Sequence, residues 1–262
     1  MFTTAIVRKP CARFAGGLTT ASLGPVDLQR ALEQHEAYRH ALESCGLDVI
    51  ELPADEKHPD STFVEDTAIL TARGAIITRP GAESRRGEID AIEPVLRPYF
   101  NELHSIREPG TVDGGDVCQT GEHFLIGVSK RTNEEGAHQL ARWLDSVGYS
   151  SGLIDIRGIS NILHLKSGLA YIGGIGGIGG ERLLITETLP PHEEFRRYEL
   201  TYLSSVEQYA ANCIALNGKV LVAAGFDRMK IQLEDLGYQT IALEMSEFQK
   251  MDGGLSCLSL RF

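Results

Sequence analysis

A unit of two short strands, a helix and a third strand recurs about every 50 residues along the chain, and a repeat of that length restricts the fold more than any single motif. The clearest copy is the last. CIAL and KVLVAA flank Asn217-Gly218, a two-residue hairpin signal; DRMKIQLEDLG has helical period and stops at Gly237; YQTIALE reads as a strand. An earlier copy sets DVCQ and HFLIG across Thr120-Gly121, then the helix NEEGAHQLARWLDSVG and the strand LIDI. DTAILTARGAIITRP, a helix from Glu88 to Tyr99 and a strand around LHSIRE follow the same plan. The N-terminal portion supplies a first strand in MFTTAIVRKP, the helix VDLQRALEQHEAYRHALESCG and the strand LDVIEL, and a more degenerate copy lies between LHLKSGLAYIGG and YLSS. So small a unit cannot bury its own apolar face. Five copies therefore predict an α/β fold closed around a common axis, a five-bladed propeller with pseudo-fivefold ββαβ repeats, and residues 1–262 read as a single domain.

Such symmetry gathers equivalent segments at one end of the axis. Those following each third strand are FVED (63–66), TVDGGD (111–116), NILHL (161–165), YAANC (209–213) and KMDGGLSC (250–257). Taken alone, a cysteine or histidine is more often a buried structural residue than a catalytic one. Cys257, however, follows Asp252-Gly253-Gly254, a run expected to adopt tight, positive-φ backbone, and it occupies the same repeat position as His164. A thiol and an imidazole distant in sequence and close in space are the usual nucleophile and base. Glu65, Asp66, Asp113 and Asp116 are individually ordinary turn-capping acids; collected in one ring they suit a planar cation such as a guanidinium.

The formal charge of −11, with no basic block, argues against nucleic acid and anionic membrane as partners. No apolar run approaches the roughly 20 residues that span a bilayer. Five scattered cysteines without a CxxC pair are expected to be reduced thiols, with no metal and no cofactor required. MFTTAIVRKP lacks the basic and apolar regions of a signal peptide, so the expectation is a cytoplasmic protein; a homodimer is left open. GGIGGIGG (173–180) contains a formal GxGxxG from Gly174 to Gly179. A strand-like ERLLITE follows it where a dinucleotide site needs a helix, so it reads as a glycine-rich hairpin connection and a candidate mobile flap.

Further marks are Gly17-Leu18-Thr19, Asp60 with Phe63-Val64-Glu65-Asp66, RPGAESRRGE (79–88), VDGGDV (112–117), SKRTNEEG (129–136), LHLK (163–166) and AANCI (210–214). With these, nearly end to end, the chain resembles the dimethylarginine dimethylaminohydrolase family of the guanidine-modifying pentein superfamily. The resemblance implies a pentein propeller that hydrolyses methylated arginine, a small cationic amino-acid substrate, to citrulline and a methylamine. It implies Cys257 as nucleophile, His164 as general acid and base, and Asp113 as an acid beside the guanidinium and His164. It implies Phe63, Glu65 and Asp66 in the guanidinium pocket, Asp60 with the backbone oxygens of Leu18 and Met251 at the α-amino group, and Arg85 and Arg131 as the carboxylate clamp. Relatives carry either Glu or Asp at the place of Asp113, and the shorter arm leaves open the preference between methylated and unmethylated arginine. An arginine or agmatine deiminase is the nearest alternative chemistry. Arginine deiminases carry an extra helical region for which 262 residues leave little room, and agmatine has no carboxylate for Arg85 and Arg131. The alternative of another class is a non-catalytic pentein-fold binding protein, which has no need of Cys257, His164 and Asp113 in register.

Overall fold

The computed structural model of the chain describes residues 1–173 and 180–262. In order come β1 (Thr4–Arg8), α1 (Leu28–Ser44), β2 (Asp48–Leu52), β3 (Ala68–Thr71), β4 (Gly74–Ile77), α2 (Glu93–Leu96) and β5 (Leu103–Ser105). They are followed by β6 (Val117–Thr120), β7 (His123–Val128), α3 (Glu134–Ser146), β8 (Ser150–Asp155), β9 (Leu169–Tyr171), β10 (Arg182–Thr186) and β11 (Glu199–Leu203). β12 (Ile214–Leu216), β13 (Lys219–Ala223), α4 (Asp227–Asp235), β14 (Gln239–Leu243), α5 (Ser246–Gln249) and β15 (Leu260–Arg261) come last.

Among the described residues the strands form five three-stranded sheets, and each middle strand runs antiparallel to one neighbour and parallel to the other. Blades two to five are consecutive in sequence: β3-β4-β5, β6-β7-β8, β9-β10-β11 and β12-β13-β14. Blade one is β15-β1-β2, so the last strand completes the first sheet, pairing Ile6 with Leu260 and Ala5 with Arg261.

Local chemistry accounts for most elements. Asn217 and Gly218, at φ of 44° and 92°, make the β12–β13 hairpin. The Asn133 side chain accepts a hydrogen bond from Gly136 N and caps α3, whose buried Ala137, Leu140 and Leu144 recur at helical spacing. Asp27 caps α1 in the same way, through Arg30 N.

The middle strands are apolar on both faces, because each blade is sandwiched between two others. Alternate side chains enter different cores. In β7, Phe124 and Ile126 join Ile69, Ile76 and the helix α3, while Leu125 packs with Leu169, Leu183 and Ile185 of blade four. In β10, Leu184 turns to Val220 and Val222 of blade five. In β13, Leu221 faces Ala5 and Val7 of blade one, and Ile6 of β1 faces Ile77 of blade two. Five apolar clusters thus lie one at each junction between blades and close into a ring. Each fully buried aliphatic side chain in them contributes about 1.5–3 kcal/mol relative to exposure.

Two expected helices differ. The segment from Glu88 to Tyr99 is a 3-10 helix over Glu83–Ala91 and a single α-turn at α2. Its course is bent because Arg85 and Glu88 are drawn inward to each other, and Pro98 disfavours helix just beyond. Blade four has a 3-10 helix, Glu193–Arg197, where blades one, three and five have α1, α3 and α4. The strand expected after the glycine run is β10; the run itself, from 174 to 179, lies outside the described residues, and with it the expectation of a flap. Among the described residues no helix is long and apolar enough to cross a membrane.

Candidate active site

Each blade is entered through a short 3-10 turn: Val64–Thr67, Gly114–Asp116, Leu165–Ser167, Ser205–Ala211 and Ser256–Leu258. These are the segments that the repeat aligns. Beside them a small, partly open cavity of about 30 Å³ is lined by Leu18, Asp60, Phe63, Asp66, Arg85, Arg131, Leu163, His164, Met251, Asp252, Gly253 and Cys257. Nine of these positions were singled out from sequence; Leu163, Asp252 and Gly253 had no assigned role.

Cys257 is the middle residue of the last turn, partly buried, and its Sγ accepts a weak hydrogen bond from Gly254 N at 3.4 Å. Burial, and after it the charges of Glu65 and Asp66, push the thiol from 9.0 up to about 12, with Gly254 N and Lys166 acting the other way. The backbone leading to it is tight, with positive φ in the run Asp252-Gly253-Gly254 as expected. The positive φ falls on Asp252, at 57°, and not on the glycines. Asp252 is held there by Thr20, which donates both its N and its Oγ1 to the carboxylate. The glycines supply room instead: a Cβ at Gly253 would stand 2.2 Å from Phe63 Cε1, and one at Gly254 2.6 Å from Asn212 Cγ.

His164 is buried and directs Nε2 to Asp113 Oδ2 at 3.1 Å. Burial opposes a charged imidazole, but the carboxylates of Asp66 and Asp116 and the Asp113 hydrogen bond outweigh it and raise His164 from 6.5 to about 9. Asp113 is wholly buried behind the imidazole and its other oxygen accepts from Gly81 N at 2.8 Å. It is thus beside His164, as expected, but does not itself line the cavity.

Asp66 is held below the ordinary carboxylate range: burial opposes its charge, while His164 and Arg85 more than offset the cost. Arg85 Nη1 reaches Asp66 Oδ2 at 2.6 Å, and its other nitrogens bind Glu88 and the carbonyl of Phe63. Burial wins at Glu88, which is raised despite Arg85. Arg131 differs, forming no ion pair among the described residues. Asp60 is raised by burial, which exceeds the opposing charges of Arg85 and Arg131, and it accepts Leu18 N at 2.9 Å.

Glu65 requires a correction. It does not line this cavity. Lys166 at 2.6 Å, Arg261 at 3.2 Å and Ser256 Oγ at 2.7 Å turn its carboxylate toward a second, larger cavity of about 1030 Å³. Its influence on the thiol is through charge alone. Asp66, Asp113 and His164 each offer a ligand atom within 4.8 Å of one another, close enough for a divalent cation, but Arg85 and the proton held by His164 already supply positive charge there.

A family model described as arginine deiminase matches residues 55–158. Over the full length of both chains, this one is 43% identical to the N(G),N(G)-dimethylarginine dimethylaminohydrolase of Pseudomonas aeruginosa. The chain belongs to the dimethylarginine dimethylaminohydrolase family. The Streptomyces coelicolor member is 35% identical over 98% of this chain and 96% of its own. A solved structure of the Pseudomonas aeruginosa dimethylarginine dimethylaminohydrolase, a cysteine-to-serine mutant complexed with citrulline, superposes with a TM-score of 0.94 at 43% identity, covering all of both chains. The N-terminal domain of the cyanobacterial arginine dihydrolase ArgZ, at 15% identity and a TM-score of 0.86, shares the fold. The five-bladed α/β propeller of the dimethylarginine dimethylaminohydrolase family is therefore the fold of this chain. Sequence reasoning passed over Glu88 and Lys166 as partners. The i,i+3 spacing of Arg85 and Glu88 was the available signal for the first; nothing local marks the second.

Proposed function

We propose that this protein hydrolyses N(omega)-methylated arginine, both dimethylarginine and monomethylarginine, to citrulline and dimethylamine or methylamine. The observation that carries this reading is the composition of one cavity, where a thiol, an imidazole and Asp66 lie together with Asp60 and with Arg131, which forms no ion pair among the described residues. A guanidinium suits the first group, and an α-amino acid suits the second.

The chemistry follows from the proton inventory. With Cys257 a neutral thiol and His164 an imidazolium, the free site is not activated. A bound guanidinium opposes the charges of Asp66 and Glu65 and favours the thiolate, whose proton leaves to solvent. Sulfur adds to the guanidinium carbon. His164 protonates the methylated nitrogen, the C–N bond breaks, and the amine leaves a covalent thiouronium on Cys257. His164, now neutral, takes a proton from water; the oxygen adds to the same carbon, the C–S bond breaks with its electron pair returning to Cys257 as thiolate, the added hydroxyl loses its proton to that thiolate, and citrulline is released. Asp113 holds the imidazole throughout. Arg131, without an ion-pair partner among the described residues, meets the substrate carboxylate, while Arg85 mainly holds Asp66 in place.

Residues 1–262 act as one domain in this reading, since β15 and β1 share a sheet and the site draws on both halves of the chain. All five cysteines are free, which fits a reducing cytoplasm, and the −11 charge fits a cationic small molecule better than nucleic acid.

Side-by-side turnover of asymmetric dimethylarginine, monomethylarginine, arginine and agmatine tests the reading. Dimethylamine and methylamine with citrulline are expected from the first two. Ammonia from arginine or agmatine at a higher kcat/KM would instead establish a deiminase, and full activity in Cys257→Ser would remove the nucleophile.

A further inference from the structure

The five turns at the blade entrances are tied to one another by buried side chains. Asp66 Oδ1 accepts Gly115 N at 2.8 Å, joining the first turn to the second. Asp116 Oδ1 accepts Leu165 N at 3.0 Å, joining the second to the third. Asn212 donates Nδ2 to Lys166 O at 3.1 Å and accepts Ser256 N at 2.8 Å, linking the third, fourth and fifth. Ser256 Oγ donates to Glu65 Oε2 at 2.7 Å, which returns to the first. The ring of hydrogen bonds is closed.

Two of the amides held in this way adjoin reacting groups. Leu165 directly follows His164, and Ser256 directly precedes Cys257. Asp116 is wholly buried and Asn212 nearly so, and neither lines the substrate cavity. Asp116 does more. Its second oxygen accepts Ser129 Oγ at 2.7 Å, and Ser129 Oγ in turn accepts the backbone N–H groups of Arg131 and Thr132 at 2.9 and 3.0 Å. One carboxylate therefore anchors the turn of the base and the turn of Arg131. Burial raises Asp116 to about 6 against the opposing effects of His164, Ser129 and Thr132, so an acid is an expensive residue to place there.

We infer that Asp116 and Asn212, at matching entrances of blades three and five, are positioning residues that fix His164 and Cys257 relative to each other by pinning Leu165 N and Ser256 N. Asp116 also sets the distance from the base to Arg131, and so the span between the guanidinium and carboxylate ends of the substrate. The attack of Cys257 and the proton transfer of His164 occur on one carbon and its leaving nitrogen, and a displacement of about 1 Å in either costs about 100-fold in rate.

The inference rests on the hydrolytic reading of the cavity, and the test separates the two. Asp116→Ala, Asp116→Asn and Asn212→Ala are compared with wild type for kcat and KM on dimethylarginine, and by crystal structure. Asparagine keeps an acceptor for Leu165 N but takes away the acceptor of the Ser129 hydroxyl, whose oxygen already accepts Arg131 N and Thr132 N, so Asp116→Asn is the partial rescue that restores the His164 turn alone. Asn212→Ala should lower kcat about 10- to 100-fold with KM within about threefold, Asp116→Ala should lower kcat by a similar factor and also raise KM through the loosened Arg131 turn, Asp116→Asn should recover part of the loss in kcat, and His164 or Cys257 should be displaced in the alanine variants. Folded alanine variants with wild-type kcat, an Asp116→Asn as slow as Asp116→Ala, or unmoved His164 and Cys257 would overturn it. If Asp116→Ala does not fold, Asn212→Ala carries the same test with the Asp116 link intact. Absence of wild-type turnover counts against the hydrolytic reading, while the positions of the two side chains still decide this inference.

Discussion

Arg85 and Arg131 both line the cavity, yet Arg85 already carries Asp66, Glu88 and the Phe63 carbonyl while Arg131 has no such partner among the described residues. Arg131→Ala should therefore raise KM about 10- to 100-fold with little change in kcat, the signature of lost binding common to ground and transition states. Arg85→Ala leaves Asp66 and Glu88 buried without their cation, and a loss of about 3–5 kcal/mol in denaturant unfolding is expected. The thiol makes a second prediction at this scale. A raised thiol pKa means that the group is protonated below it, so thiolate absorbance of the unliganded protein, measured against Cys257→Ser, should be absent at pH 6 and pH 7 and should appear on binding a non-reactive guanidinium. A thiolate largely formed at pH 6 without ligand would contradict the proposed order of events. Cys257, His164 and Asp113 were legible because the repeat gave them equivalent places. The opposite facing of Glu65 and Asp66 was not: neighbours in one turn, they are directed by Arg261, 196 residues from Glu65, and by Arg85.

The turn Gly114–Asp116 is closely hemmed in by its neighbours. A Cβ on Gly115 would stand 2.6 Å from His164 Nδ1, and one on Gly114 would stand 1.9 Å from Glu65 O. The first obstacle is a side chain and the second is backbone. Gly115→Ala should thus remain folded and lose about 100-fold in kcat through a displaced imidazole, whereas Gly114→Ala should show the larger drop in melting temperature. Helices α1, α3 and α4 were legible from their period and their terminal residues, since capping is a local matter. The stretch from Glu83 to Leu96 was not, because the inward pull on Arg85 and Glu88 comes from the site and overrides the local period. A Cβ at Gly87 would meet His58 Nε2 at 2.6 Å, a second approach that no spacing in the sequence announces.

The five cores lie between blades and none lies within a single one, so stability depends on the ring being complete. This was visible in the repeat, but the strand that completes blade one is the last two-residue segment, too short for any periodicity to mark. Leu260 is buried against Ile6, Ile77 and Leu96, and Leu260→Ala should cost about 2–5 kcal/mol in denaturant unfolding. Activity should be lost with it in parallel, because Cys257 hangs on the turn that leads into that strand. Closure of the ring also explains how a cysteine five positions from the last residue meets His164 and an aspartate from the first third of the chain. The most direct measurement is mass spectrometry of the protein quenched in acid during turnover of asymmetric dimethylarginine. A substrate-derived adduct lacking dimethylamine, on the peptide containing Cys257, is expected; citrulline formation with no adduct on Cys257, or with the adduct on another residue, would contradict it.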